Sequence, residues 1–184
     1  MKFRPLLAVA AAAFVLLPAA LQADPAAPAT AAPVTVKMKT ADGKDAGTIT
    51  LTEKKGGVTF TLDLMNLPPG DHAIHVHQFP KCDPPTFATS GFHFNPSGKQ
   101  HGIKNPAGSH EGDIPLSLKV KADGTEKSSF VVKTLSLEPS AANSVFANGG
   151  TSIVIHEGVD DMMTDPGGNS GARIACGVIA PPGA

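Results

Sequence analysis

The sequence predicts an all-β protein, built as a sandwich or a flattened barrel. Apolar and polar residues alternate in about eight short stretches, which is typical of strands with one buried face. Turn signals such as Asp42-Gly43 and Asp123-Gly124 separate these stretches. No stretch carries a strong helical pattern, so we expect antiparallel strands joined mostly by short turns.

Three strands are predicted before His72. Their alternating apolar residues are Val34, Val36 and Met38; Ile49 and Leu51; and Val58, Phe60, Leu62 and Leu64. Lys55-Gly56-Gly57 turns the chain between the second and the third strand, and Leu67-Pro68-Pro69-Gly70 ends the third.

The fourth predicted strand, from His72 to His77, carries histidines on one face. Ile74 and Val76 share the opposite face. If the apolar face enters the core, His75 and His77 point outward onto the barrel surface.

Four further strands are predicted after Asp113. They cover Leu116 to Val120, Phe130 to Leu137, Ile153 to His156 and Arg173 to Ile179. Two long loops, residues 78–113 and 157–172, interrupt the strands. A loop as long as the first is unusual in a compact domain, so we expect a metal and a disulfide to order it.

The N-terminus predicts a secretory signal peptide over residues 1–23. Lys2 and Arg4 precede the apolar run from Leu6 to Leu17, and small residues follow as far as Ala23. A retained membrane anchor is the alternative, but the run is too short to span a bilayer comfortably. We expect an Ala/Pro-rich disordered spacer over residues 24–33 and one folded domain over residues 34–184.

The charge of the mature chain argues against nucleic acid as a partner. Cleavage after residue 23 removes Lys2 and Arg4 from the 15 basic residues and none of the 16 acidic residues, which leaves a formal charge of −3. An anionic substrate therefore needs local positive charge at its site. Once the signal is removed, no membrane association is expected.

The two cysteines, Cys82 and Cys176, suggest one disulfide. An exported chain with an even number of cysteines usually pairs them, and two free thiols are the alternative.

The histidines predict metal binding. Six of the seven lie between His72 and His110, and the seventh is His156. Neutral imidazole is the commonest side-chain metal ligand. His93, His101, His110 and Asp113 form a closed four-ligand set that suits structural tetrahedral zinc.

A second set suits Cu(II). His75 and His77 on one strand can meet His156 from another, and His93 completes four imidazoles. His93 can serve both metals because imidazolate has two ring nitrogens. His72 completes neither set, so we expect a surface or hydrogen-bonded core histidine there.

These residues resemble the copper/zinc superoxide dismutases, and in part their exported bacterial branch. The similarity lies in His75-Val76-His77, in Gly91-Phe92-His93-Phe94-Asn95-Pro96, in the spacing to His101, His110 and Asp113, in Val154-Ile155-His156-Glu157, and in Gly171-Ala172-Arg173-Ile174-Ala175-Cys176-Gly177-Val178-Ile179. Lys104-Asn105-Pro106-Ala107-Gly108 resembles the exported bacterial enzymes. The resemblance covers Val34 to Ile179.

The resemblance implies an eight-stranded Greek-key β-barrel or sandwich of the immunoglobulin-like type, with two long functional loops. It implies one copper on His75, His77, His93 and His156, one zinc on His93, His101, His110 and Asp113, and a Cys82–Cys176 disulfide. It also implies that Asp160 lies between the metals and accepts hydrogen bonds from one histidine of each set. Asp161 is then a turn-forming acid.

The implied activity is conversion of two superoxide anions and two protons to O₂ and hydrogen peroxide by Cu(II)/Cu(I) cycling. Arg173 holds the anion beside copper, and His93 takes up and returns a proton. The implied location is periplasmic or secreted, as a homodimer or a monomer. The alternative is a metal-binding or metal-delivery module of the same fold without turnover.

Overall fold

The computed structural model describes residues 32–183. The predicted signal peptide and nearly all of the predicted spacer lie outside these residues. Eight strands form within these residues. They are β1 (Val34–Thr40), β2 (Asp45–Lys54), β3 (Gly57–Leu64), β4 (Gly70–His77), β5 (Asp113–Val120), β6 (Ser129–Val132), β7 (Thr151–His156) and β8 (Arg173–Ile179).

All strand pairs are antiparallel and belong to one sheet, in the order β5-β4-β7-β8-β1-β2-β3-β6. The sheet curls into a nearly closed barrel with Greek-key crossovers after β3 and β6, which confirms the predicted fold class. Within residues 32–183 the helices are two 3-10 turns, Ala88–Ser90 and Ala147–Gly149. None of the helices in this range is long and apolar enough to cross a membrane.

The alternation in β4 decides where its histidines lie. Ile74 and Val76 point inward and join the main core. His75 and His77 therefore lie on the outer face of the barrel, as predicted. They are nevertheless buried, with 0% and 1% of their surface exposed, because the long loops cover this part of the barrel.

The strand predicted from Phe130 to Leu137 is shorter than expected, since β6 ends at Val132. Leu135 and Leu137 still enter the core, but from irregular backbone. The Glu53 carboxylate accepts a hydrogen bond from the Leu137 N–H and another from the Ser136 hydroxyl. This side chain replaces the ladder partner that the alternating pattern alone would predict.

Cys82 and Cys176 are joined by a disulfide, with 5.7 Å between their Cα atoms. The bond ties the loop over residues 78–112 to β8. A small second apolar cluster of Phe87, Val154 and Cys176 lies beside it. The loop is therefore attached to the barrel at two neighbouring points.

Candidate metal centre

Two paired strands and one loop bring four histidines together. His75 and His77 come from β4, and His156 ends β7, which pairs with β4. His93 approaches from the loop and forms an isolated bridge with His77. We call these residues the four-histidine group; one ring nitrogen from each lies within 4.8 Å of the others.

Hydrogen bonds occupy one ring nitrogen of each of these histidines and leave the other free. His75 Nε2 lies 2.9 Å from Asp160 Oδ2, and its buried Nδ1 has no hydrogen-bond partner among the described residues. His77 Nδ1 donates to the Gly91 carbonyl oxygen at 3.0 Å. His156 Nδ1 lies 3.4 Å from the Gly171 carbonyl oxygen. The free nitrogens therefore face a common centre.

That centre fits a cation. His77 Nε2 and His156 Nε2 are 3.4 Å apart. With hydrogen on each Nδ1, both Nε2 atoms present lone pairs to one another, which is unfavourable unless a positive ion lies between them. The unpartnered buried Nδ1 of His75 points to the same conclusion. Four imidazoles of this kind suit Cu(II).

The second group, which we call the aspartate-containing group, shares His93 with the first. Three Nδ1 atoms lie 2.8–3.0 Å from a single oxygen, Asp113 Oδ1; they belong to His93, His101 and His110. Backbone N–H groups of Gly102 and His110 donate to Asp113 Oδ2. Three imidazoles and one carboxylate fit tetrahedral zinc.

Asp160 links the two groups. Its Oδ2 lies 2.9 Å from His75 Nε2, and its Oδ1 lies 2.9 Å from His101 Nε2. The Met162 N–H donates to Oδ1 at 2.6 Å and fixes the carboxylate. A carboxylate in this position holds the orientation and tautomer of a histidine in each group.

Burial keeps three members of the four-histidine group, His77, His93 and His156, neutral. It lowers the pKa of His93 to about 4 and that of His156 to about 3. Burial, with the neighbouring histidines, also lowers the pKa of His77 well below its usual range. Neutral imidazoles are the form that binds metal.

In the aspartate-containing group, hydrogen bonds outweigh the effect of burial on the pKa values of Asp113 and His101. Burial alone would raise the pKa of Asp113, but hydrogen bonds from His101, His110 and His93 outweigh it and hold that pKa well below the usual range. For His101, burial alone would lower the pKa. The hydrogen bonds with Asp113 and Asp160 outweigh burial and raise the pKa of His101 to about 9.

Arg173 lies at the start of β8 and lines a cavity of about 300 Å³ together with His77, His93 and His156. Its guanidinium donates to the carbonyl oxygens of Phe87 and Gly91, each at 2.7 Å. The pKa of Arg173 is lowered by burial. The cavity therefore brings a cation and three histidines of the four-histidine group to one opening, which suits a small anion.

The structure also places the residues that sequence reasoning left outside the ligand sets. His72 is buried, with its ring nitrogens 2.9 Å and 2.8 Å from the carbonyl oxygens of His156 and Pro68. Asp161 accepts hydrogen bonds from the backbone of Met163 and Thr164, as a turn-forming acid should. Lys99 lines a cavity beside His93 and His110.

Three contributors were missed from the sequence. Asp165 accepts the His101 N–H at 2.7 Å, the Ser90 hydroxyl contacts Arg173, and Gly168 packs against Asp160. Each acts through proximity across loops, and only the Gly167-Gly168 pair gave a local signal, namely a turn.

A β-barrel that carries two adjoining ligand groups with one histidine in common is a two-metal protein. The sequence model of the copper/zinc superoxide dismutase (SODC) family matches residues 45–179. The chain belongs to that family.

Bacterial relatives agree with this. The chain is 42% identical over 138 residues to superoxide dismutase (Cu-Zn) 1 of Aquifex aeolicus, covering 74% of this chain and 81% of that protein. It is 39% identical over 147 residues to the Cu-Zn superoxide dismutase of Caulobacter vibrioides, covering 79% and 84%. The crystal structure of a SOD-like protein from Bacillus subtilis matches with a TM-score of 0.75 and 34% identity, covering 82% of this chain and 99% of that one.

Proposed function

We propose that the chain is a superoxide dismutase in which the four-histidine group holds copper and the aspartate-containing group holds zinc. The observation that supports this proposal most strongly is that free ring nitrogens of the four-histidine group converge beside Arg173. The reaction converts two superoxide anions and two protons to O₂ and hydrogen peroxide. Bound copper supplies a one-electron couple that can accept an electron from one superoxide and donate it to the next.

The protein residues bind the anion and handle its protons. Arg173 attracts superoxide into the cavity and orients it by charge and hydrogen bonds. His93 Nε2 takes up a proton and returns it to the product. His93 Nδ1 belongs to the aspartate-containing group and lies 2.8 Å from Asp113 Oδ1 in the metal-free chain, so that group would hold the ring in place while Nε2 gains and loses its proton.

Asp160 has a positioning role. It accepts hydrogen bonds from His75 and His101, one in each group. Loss of such a carboxylate typically lowers metal affinity by about 10- to 100-fold.

The test combines metal analysis with two variants. Purified protein should contain one copper and one zinc per chain and show cyanide-sensitive dismutase activity. His93→Ala should abolish most activity per bound copper. Arg173→Ala should reduce it by about 10-fold or more at low salt, since local charge raises association rates by 10- to 10³-fold.

Arg173→Lys is the matched control for charge. It keeps the positive charge but loses the planar set of donors, so its activity should fall between those of Arg173→Ala and the wild type. Wild-type activity per copper in His93→Ala would contradict the assigned proton transfer. Binding of zinc alone after copper loading would favour a metal-binding module without turnover.

We also propose that the protein is exported to the periplasm or secreted, with residues 1–23 removed. The Cys82–Cys176 disulfide supports an oxidising compartment. N-terminal sequencing of the protein from an extracytoplasmic fraction tests the cleavage, and an N-terminus at Met1 would contradict it. Sedimentation of the metal-loaded protein will distinguish a homodimer from a monomer.

A further inference from the structure

The Ser90 hydroxyl lies between the anion-binding arginine and a histidine of the four-histidine group. Ser90 ends the 3-10 turn Ala88–Ser90 and is completely buried. Its Oγ lies 2.9 Å from Arg173 Nη1, 2.8 Å from the Phe87 carbonyl oxygen and 3.3 Å from His77 Nδ1. A single hydroxyl therefore contacts two residues that line the cavity, Arg173 and His77.

The hydrogens at this point can be assigned from their partners. A carbonyl oxygen only accepts, so Ser90 donates its one hydrogen to Phe87 and keeps its lone pairs for Arg173 and His77. The same argument requires a hydrogen on His77 Nδ1, since the Gly91 carbonyl oxygen lies 3.0 Å away. Ser90 thus favours the tautomer that leaves His77 Nε2 free.

Ser90 also determines which Arg173 donors remain available. Nη1 uses one hydrogen on the Phe87 carbonyl oxygen and the other on Ser90 Oγ, and Nη2 uses one on the Gly91 carbonyl oxygen. The second Nη2 hydrogen and the Nε hydrogen have no hydrogen-bond partner among residues 32–183, so they are available to an anion. Without the Ser90 hydroxyl, one Nη1 hydrogen loses its acceptor, and the guanidinium is held by the carbonyl oxygens of Phe87 and Gly91 alone.

We propose that Ser90 is a positioning residue that fixes the Arg173 guanidinium relative to the His77 ring, so that the remaining Arg173 donors stay directed into the cavity. This inference rests on the proposed function, because it assigns to Ser90 the orientation of that function's anion site. Ser90 touches neither substrate nor metal and acts through its two neighbours.

The first test measures binding of a small anion rather than turnover. Azide is titrated into the copper- and zinc-loaded protein and followed by the visible spectrum of Cu(II). Ser90→Ala should raise the azide Kd about 5-fold, because it removes one hydrogen bond to the charged guanidinium. The effect reaches azide indirectly, through Arg173. The matched control is Thr89→Ala, since the neighbouring Thr89 hydroxyl accepts the Asp83 N–H and is exposed.

The second test observes Arg173 directly. Arg4 and Arg173 are the two arginines of the chain, so the guanidinium signals of the mature protein belong to Arg173. In the reduced, diamagnetic holoenzyme, wild-type Nη1 hydrogens should give separate nitrogen-correlated NMR signals because rotation is hindered. In Ser90→Ala their exchange with water should accelerate about 10-fold.

The outcomes separate the two ideas. An azide Kd in Ser90→Ala within twofold of that in Thr89→Ala overturns the role of Ser90, as does free rotation of the wild-type guanidinium. If the wild-type holoenzyme itself binds no azide, the proposed function of the Arg173 site fails instead. A raised Kd in Ser90→Ala with faster Nη1 exchange supports the inference.

Discussion

His101 is the residue whose proton should respond most to metal binding. It contacts Asp113 through Nδ1, at 3.0 Å, and Asp160 through Nε2, at 2.9 Å. Both contacts require a donated hydrogen in the metal-free chain, because carboxylates accept. The pKa of His101 is raised to about 9 because its imidazolium form lies between two carboxylates.

We predict that zinc binding to the metal-free protein at pH 7.5 releases about one proton, which comes from His101 Nδ1. Calorimetric titration in two buffers with different ionisation enthalpies measures the number. Copper binding to His77, His93 and His156 should displace little, since burial lowers the pKa of each below neutrality. Equal proton release for the two metals would contradict the assignment.

Asp160→Asn is the control for this prediction. It removes one of the two negative charges and should reduce the proton release on zinc binding.

The raised pKa of His101 also makes the stability of the metal-free chain depend on pH. A raised pKa stabilises the fold fully below about 6.5, and that contribution disappears as the pH rises through about 9.

Among elements, the loop over residues 78–112 is attached to β5 by side-chain contacts. Backbone N–H groups of Gly102 and His110 donate to Asp113 Oδ2, so the start of β5 holds the loop through one carboxylate. That carboxylate is itself part of the aspartate-containing group. The order of the loop should therefore follow zinc occupancy.

We predict that chelation of the metals raises the hydrogen-exchange rates of the Gly102 and His110 amides by at least about 10-fold, because local opening of this loop then costs less free energy. Mass-spectrometric exchange measures the change. Amides in β2 and β3, which pair along eight residue pairs, serve as the internal control and should change little. Equal deprotection of the loop and these strands would instead indicate global unfolding.

The second long loop, residues 157–172, reaches the metal groups through a glycine. Gly168 has φ +65°, and a Cβ there would overlap the Asp160 carboxylate and lie 2.7 Å from His101 Nε2. Only glycine permits this approach.

We predict that Gly168→Ala displaces the Asp160 carboxylate and lowers zinc affinity by about 10- to 100-fold, the usual cost of losing such a partner. Competition with a chromogenic chelator measures the affinity. Gly98→Ala is matched in backbone conformation, with φ +64°, but a Cβ there meets nothing within 4 Å. A similar loss in both variants would show that backbone strain, not overlap with Asp160, is responsible.

The sequence predicted the strands because each rests on a local signal, whereas the two ligand sets stay predictions. Alternation located β4, and the crowding of histidines pointed to metal. The loops were less predictable. The Arg173 guanidinium donates hydrogen bonds to Phe87, Ser90 and Gly91 because a loop folds back on β8. No hydrophobic periodicity or residue spacing in the sequence predicts these contacts. The burial of His75 and His77 likewise comes from loops, not from their strand.

For the whole molecule, the cavity must attract an anion despite an acidic chain. Arg173 is the cation in its lining, and Asp165 adds a negative charge at the rim. Residues 157–172 contain no lysine or arginine. Lys99 lines the neighbouring cavity instead, with Phe92 and Asp165 lining both. Positive charge is therefore concentrated at Arg173, so its orientation matters more than the net charge.

The Cys82–Cys176 disulfide joins residues 94 positions apart and so restricts the unfolded chain as a whole. We predict that the double variant Cys82→Ala, Cys176→Ala lowers the free energy of unfolding by about 4 kcal/mol, as expected for a closed loop approaching 100 residues. Urea denaturation of the metal-free forms measures it, which excludes the contribution of bound metal. Wild-type protein unfolded in reductant is the control and should lose a similar amount. A loss below about 1 kcal/mol in both would mean that the unfolded chain is already compact enough for the cross-link to add little.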